Sequence, residues 1–361
     1  MAGKAGALIE RGVNAAGRLL SSRIPHHWAL NYCLALPRFC RGNRRLPRSV
    51  DDPRATLNDI IFDRMIRDGW SPAQQSCVDK ESAKIIAQAR APGVKVARTE
   101  AIFHLEESTS TADVAAWLAP YLGRKFVVKP THSYGSILYL DEKLETRRLA
   151  QFVRHAKRNF FHAARETQYR NLKRKLILEE NLAPDQRLND YKFSCTDGHV
   201  LHGRMDVGRG TPDHRRALFT VPDFSIIPVR TGGLDFPERI AAPQHLPEMI
   251  EIAAQLSRGF DFVRVDLYDT PDGVYFGEFT FTPGAGACGY SDEKVAIKMA
   301  QRLKSMSPIG AAAHASAISA LPLPVSAEQF PQNGIEALAA GSSGTEPALL
   351  DLEKTAFAQA S

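Results

Sequence analysis

Of the four acidic residues at 262–281, FVRVDLYDTPDGVYFGEFTF, Asp266 and Glu278 stand within apolar, alternating runs, and no other feature of the chain restricts its fold as strongly. Thr270-Pro271-Asp272-Gly273 separates two runs rich in Val, Tyr and Phe. It reads as a hairpin turn, because Pro presets one dihedral and Gly accepts a positive one. On the first strand Arg264, Asp266 and Tyr268 share a face, and Val263, Val265 and Leu267 share the other. Alternation on the second strand puts Phe276, Glu278 and Thr280 together. The carboxylates of Asp266 and Glu278 are costly to bury without a counter-charge. A divalent metal held by hard oxygen ligands would satisfy both; so would an ion pair between Arg264 and either acid. A shared ion also requires both acids on one side of the hairpin. An even loop, Thr270–Gly273, sets Asp266 opposite Gly277 and turns Glu278 away. An odd loop or a single β-bulge brings the acids together, so one of these is expected.

Three further segments carry chemistry. Thr282-Pro283-Gly284-Ala285-Gly286-Ala287 is built of small residues, which let backbone N–H groups approach a ligand closely. Phe126-Val127-Val128-Lys129-Pro130 ends a buried strand on an ammonium that needs an anion. The loop after it offers His132, Ser133, Gly135 and Ser136, a flexible cover for a phosphate or an ordinary surface turn. Leu176 to Leu182 (LILEENL) is an apolar strand running into Glu179 and Glu180. Such an edge can bond a nucleobase and ribose, or simply end in solvated acids. No Ser-His-Asp or Cys-His arrangement is present.

Helical spacing is expected over 58–68, 80–90, 111–122, 142–162 and 243–258, and strands over 125–129, 137–140, 175–179, 190–195 and 199–205, with 211–216 a loop. The first 48 residues hold nine Lys/Arg against the single Glu10. This basic arm suits a packed helix or a membrane surface. From Ser307 onward Ala, Ser, Pro and Gly dominate, so a disordered tail is expected, with a short helix near 346–356. Five scattered cysteines without a C-x-x-C pair exclude a zinc ribbon and point to a reducing, cytoplasmic setting. Nothing approaches eighteen consecutive apolar residues.

The three segments and the hairpin occur in one order, and with VDK at Val78–Lys80, FVVKPTHSYGS, ILEENL, NDYKF at Asn189–Phe193, and MIEIAAQLSRGFDFVRVDLYDTPDGVYFGEFTFTPGAG the chain resembles the ATP-grasp superfamily. It is most similar to the TupA-like branch, associated with teichuronopeptide and other cell-surface polysaccharide synthesis. The resemblance spans roughly Leu57–Lys304 and implies an α+β fold in which two α+β lobes clamp ATP. The corresponding division is a basic helical arm at 1–54, an N-terminal α/β region at 55–124, a small lobe at 125–188, a large lobe at 189–306 and a low-complexity tail at 307–361.

The resemblance implies a carboxylate–amine ligase that uses ATP and Mg²⁺, forms an acyl phosphate and releases ADP and phosphate. By motif position Lys129, His132, Ser133, Gly135, Ser136 and Arg209 would contact nucleotide phosphate, and Glu179, Glu180 and Leu182 the adenosine. Asp266, Glu278 and Thr280 would hold metal, with Arg264, Lys192 and Gly284 at the transferred phosphoryl group. Many relatives end the metal motif E-x-N, whereas here it reads Glu278-Phe279-Thr280, a hydroxyl in place of a carboxamide. His132 likewise replaces small or acidic loop residues. A phosphotransferase acting on a sugar or small-molecule hydroxyl, and a non-catalytic protein whose basic arm binds membrane or nucleic acid, are the rival readings. The expected partners are a carboxylate and an amine from glycan-precursor or amino-acid chemistry, and a membrane surface touched peripherally by the arm. No nucleic-acid motif is present, so no nucleic-acid partner is expected.

Overall fold

A computed structural model describes residues 24–140, 144–183, 188–208 and 211–307. The helices are α1 (Trp28–Asn43), α2 (Leu57–Ile66), α3 (Pro72–Val78), α4 (Lys80–Arg90), α5 (Thr111–Leu118), α6 (Thr146–Ala156), α7 (Phe161–Ala164), α8 (Leu246–Ser257) and α9 (Glu293–Met306). The strands are β1 (Lys95–Val96), β2 (Thr99–His104), β3 (Phe126–Pro130), β4 (Leu138–Tyr139), β5 (Lys175–Glu180), β6 (Asp190–Thr196), β7 (His199–Val207), β8 (Arg215–Phe219), β9 (Ile226–Ile227), β10 (Val263–Thr270) and β11 (Gly273–Thr280). They form two sheets: four strands in the order β2-β5-β3-β4, and seven in the order β1-β11-β10-β6-β7-β8-β9.

Both sheets bury one face and keep the other for charged side chains. In the small sheet Val128, Leu138, Leu176 and Leu178 pack on Val114 and Leu118 of α5 and on Leu149, Phe152 and Val153 of α6. Lys129 and Glu179 alternate with these and so point to the opposite face. In the large sheet Phe193, Met205, Phe219, Val265 and Leu267 pack with Met249, Ile252 and Leu256 of α8. The opposite face carries Lys192, Ser194, Arg204, Arg264 and Asp266. Phe219 lies so close over Gly203 that a Cβ there would meet its ring at 2.0 Å, so glycine is required under this aromatic.

Several boundaries differ from the sequence expectation. The long basic helix expected over 142–162 is two pieces, α6 and α7, because Lys157 closes α6 and the 158–160 segment turns before Phe161. Thr211–Arg216, expected as a loop, gives way at Arg215 to β8, which lies between β7 and the edge strand β9 of the large sheet. Strand β2 was not anticipated; at the edge of the small sheet it buries too little to show strict alternation. The basic arm forms α1 over its second half, and residues 1–23 lie outside the described residues, as does the tail from 308. No helix among the described residues is long and apolar enough to cross a membrane.

Candidate active site

The hairpin β10–β11 is irregular at the point that matters. Asp266 pairs with Glu278, yet Leu267 pairs with Phe276, so Gly277 bulges out without a partner. A Cβ on Gly277 would lie 3.0 Å from the Asp266 carbonyl oxygen and 3.1 Å from the Tyr268 ring, a fit only glycine makes easily. One extra residue reverses every later side chain. Phe276 therefore joins Leu267 in the core, instead of sharing a face with Glu278 as plain alternation suggested. Glu278 and Thr280 turn to the side of Asp266 and Arg264.

Arg264 organises this face. Its Nε donates to Asp266 Oδ1 at 2.6 Å, and one terminal nitrogen donates to Asp266 Oδ2 at 2.6 Å, Thr280 Oγ1 at 2.9 Å and Glu278 Oε1 at 3.1 Å. Lys192 donates to Asp266 Oδ2 at 3.0 Å and also bonds Asp190. Burial works to raise the Asp266 carboxyl, but Arg264 and Lys192 outweigh it and hold the pKa below the usual carboxylate range. The residues expected for an ion pair and those expected for a metal are thus one group, joined here through Arg264. Among the described residues no cluster of three His, Cys, Asp or Glu side chains could hold a metal. The oxygen donors on this face are two carboxylates and one hydroxyl.

The small sheet contributes a second charged group. Glu179 is buried between two lysines, with Lys129 bonding Oε1 and Lys84 at 2.5 Å from Oε2. Burial works to raise its carboxyl, yet Lys129 and Lys84 hold it at about 2. The Lys129 ammonium, lowered by burial alone, is raised above its ordinary value by Glu179. Lys80 donates to the Ser133 carbonyl at 2.5 Å, and burial lowers its pKa. The Glu278 carboxylate is near enough to Lys80, at the start of α4, and to Lys129, on β3, to work to raise both ammoniums. Beyond the ends of these strands, Glu180, Asn181, Leu182 and Leu188 line a groove against Thr270, Pro271, Asp272 and Tyr275. The Glu180 carboxylate accepts from the Arg98 amide at 2.7 Å.

The loop after Lys129 divides in two. Thr131 donates to Asp79 Oδ2 at 2.8 Å, and Asp79 caps α4 through the amides of Glu81 and Ser82. His132 is buried, with Nε2 2.8 Å from the Ala156 carbonyl and Nδ1 unbonded. Burial lowers its pKa to about 4, so the ring is neutral near pH 7. Its ring is committed to the end of α6. Ser133 is also buried, whereas Gly135 is exposed at φ +82° and Ser136 half-buried.

The Pro283–Gly286 turn departs from expectation. Gly284, Ala285 and Gly286 all have positive φ. A Cβ on Gly284 would meet Cys288 Sγ at 2.6 Å, and one on Gly286 would meet the Asn58 carbonyl oxygen at 2.8 Å. The amides of Ala285 and Ala287 bond within the turn, at 2.9 and 3.1 Å. The small residues here serve close approach to the protein itself, above all to α2. Arg209 lies outside the described residues.

Sequence reasoning assigned no role to Lys80 or Lys84. Their spacing of four residues on a helix, which puts both on one face, was the available signal. It also missed Glu166, which is 1% exposed and accepts from Tyr134 at 2.9 Å and from Thr282 at 2.5 Å, tying the loop to the exit of the hairpin.

Comparison with known proteins gives the following. The family described as TupA-like ATPgrasp matches residues 106–303. A search of curated proteins returns no match. Among solved structures, D-alanine-D-alanine ligase from Helicobacter pylori is similar at 18% identity and a TM-score of 0.35, over 62% of this chain and 60% of that one. D-cycloserine synthetase DcsG is similar at 21% identity and 0.34, over 63% and 71%. The Bacillus anthracis D-alanine–D-alanine ligase complexed with ATP is similar at 17% identity and 0.34, over 64% and 69%.

Proposed function

The chain belongs to the TupA-like ATP-grasp family, and from that premise we propose that it is an ATP-dependent carboxylate–amine ligase acting in cell-surface polysaccharide or peptide-conjugate synthesis. The observation that carries this reading is the bulge at Gly277, which turns Asp266, Glu278 and Thr280 to one face together with Arg264. These donors are all oxygen, the set that suits Mg²⁺ alongside phosphate oxygens. Such an ion, when bound, supplies positive charge against the triphosphate. Arg264, which here donates to both carboxylates, would then be available to meet the transferred phosphoryl group.

Across the cleft Lys129 would take nucleotide phosphate, aided by Lys80, under the exposed half of the loop at Gly135 and Ser136. Glu179, Glu180 and Leu182 would face the adenosine along the groove toward Tyr275. Lys192 would remain bonded to Asp266 and help Arg264 hold it ionised. The acceptor carboxylate oxygen attacks the γ-phosphorus and ADP leaves. The amine then attacks the acyl carbon, expels phosphate and gives up its proton. Positioning and charge neutralisation carry such a reaction without a protein nucleophile. The basic arm would bring the enzyme peripherally to a membrane surface. The test is turnover with ATP, Mg²⁺, a panel of uronic and amino acids and hydroxylamine as the amine. Hydroxamate with ADP and phosphate supports the ligase; ADP with a phosphoester instead identifies a phosphotransferase.

A further inference from the structure

Segments far apart in the chain meet at one buried carboxylate. Glu166 lies in the turn between α7 and β5 and is 1% exposed. Its Oε2 accepts from the Tyr134 hydroxyl at 2.9 Å, and its Oε1 accepts from the Thr282 hydroxyl at 2.5 Å. Gln168 Nε2 in turn donates to Thr282 Oγ1 at 2.5 Å, which leaves the Thr282 proton for Glu166. Burial pushes the Glu166 carboxyl above its ordinary value, while Thr282, Arg38 of α1 and Tyr134 work to lower it. Both carboxylate oxygens are thus used as acceptors. An amide in this place would accept through one end and donate through the other.

The two hydroxyls belong to the two sides of the candidate site. Tyr134 stands in the loop after Lys129, next to Gly135, around which a Cβ would meet nothing within 4 Å. Its ring packs edge-on against Phe160 and Tyr169, with centres 4.5 and 6.2 Å apart. Thr282 follows the end of β11, the strand that carries Glu278 and Thr280. One side chain therefore ties the loop beside Lys129 to the strand of the oxygen donors. A triphosphate held between Lys129 and an ion on Glu278 needs that separation fixed, because a misplacement of about 1 Å costs on the order of a hundredfold in rate. A buried acid is costly to keep, and here its two hydrogen bonds to hydroxyls go to those two elements.

We infer that Glu166 is a positioning residue for the nucleotide: through Tyr134 and Thr282 it holds the phosphate-covering loop at a fixed distance from the strand of Glu278 and Thr280. The inference rests on the ligase reading and adds to it a residue that acts only through its two hydroxyl partners. Releasing either hydroxyl leaves Lys129 and Glu278 in place and frees the spacing between their elements.

The test is calorimetric titration of the full-length protein with MgATP, joined to hydrogen exchange of the ligand-free protein. Tyr134→Phe keeps the ring and removes the hydroxyl on the loop side; Thr282→Val, nearly isosteric, removes the one on the hairpin side. Each should weaken MgATP binding about fivefold, as loss of one hydrogen bond implies. The double variant should depart from the product of the two single effects by about twofold or more, because both act through one carboxylate. Without ligand, Tyr134→Phe should speed amide exchange at Gly135 and Ser136 and leave Phe126–Pro130 protected. Melting curves check that each variant folds. A merely structural role would lower the melting temperature and leave MgATP affinity unchanged below it. Unchanged affinity in both variants, independent effects in the double variant, or unchanged exchange at the loop each overturns the inference. Absence of MgATP binding by the wild type removes the ligase reading and the inference with it, whereas MgATP binding indifferent to both substitutions removes only the positioning role.

Discussion

Asp266 and Glu278 would share one ion, yet the fold depends on them unequally, and Asp266→Asn against Glu278→Gln measures the difference. Asp266 is 2% exposed and accepts three charged hydrogen bonds, two from Arg264 and one from Lys192. Neutralising it leaves a buried guanidinium facing an amide that cannot accept with both ends. Breaking a buried pair from one side costs about 3–5 kcal/mol. The Glu278 side chain is 32% exposed and meets Arg264 at 3.1 Å through one oxygen. A partly solvated contact of this kind contributes about 1 kcal/mol or less. Urea unfolding followed by tryptophan fluorescence should therefore show a large loss for Asp266→Asn and a small one for Glu278→Gln. Both variants should lose Mg²⁺-dependent ATP turnover under conditions where they remain folded. Equal stability losses, or an Asp266→Asn protein as stable as wild type, would refute the clamp. Glu278→Gln with near wild-type turnover at saturating Mg²⁺ would refute its role as a ligand.

Lys129→Ala should raise the KM for ATP, and it should also release Glu179 from one of its two lysines; unchanged nucleotide affinity would reassign Lys129 to that structural pair. The Glu179 carboxyl, held at about 2, stabilises the fold fully above the ordinary Glu range. That contribution is lost as pH falls from about 4.5 toward 2, so Glu179→Gln should flatten the acid limb of a stability–pH curve. His132 and His202 are both lowered to about 4 by burial. Their neutral forms stabilise the fold above pH 6.5, and each stands to cost at most about 3 kcal/mol as pH falls from there to 4. His132→Gln should remove its share of that slope, measured by urea midpoints across this range. Gly277→Val should cost about 1–3 kcal/mol, because its side chain must displace the Asp266 backbone or the Tyr268 ring; a Tm equal to wild type would argue that the bulge moves elsewhere.

The hairpin was readable because Pro-Asp-Gly and period-two alternation are local signals. The bulge could be required on chemical grounds but not located, since a strand glycine marks a bulge and a close approach alike. The glycines of Pro283–Gly286 show the same ambiguity from the other side. A missing Cβ suits a ligand or a neighbouring backbone, and here the neighbour is α2, some 220 residues earlier in the chain. Lys84 lay within reach of helical spacing. Strand β8 was lost to a loop reading because Arg215 and Arg216 precede its short apolar run Ala217–Phe219.

A carboxylate–amine ligase of this kind must pass the γ-phosphoryl group to a carboxylate oxygen. The direct measurement uses ¹⁸O-labelled carboxylates from the acceptor panel, with ATP, Mg²⁺ and hydroxylamine, and reads the mass of the phosphate released. One labelled oxygen should pass from the acceptor to each phosphate, in step with hydroxamate formed. Phosphate released without label would contradict the acyl phosphate and, with it, the assignment of this cleft to a carboxylate–amine ligase.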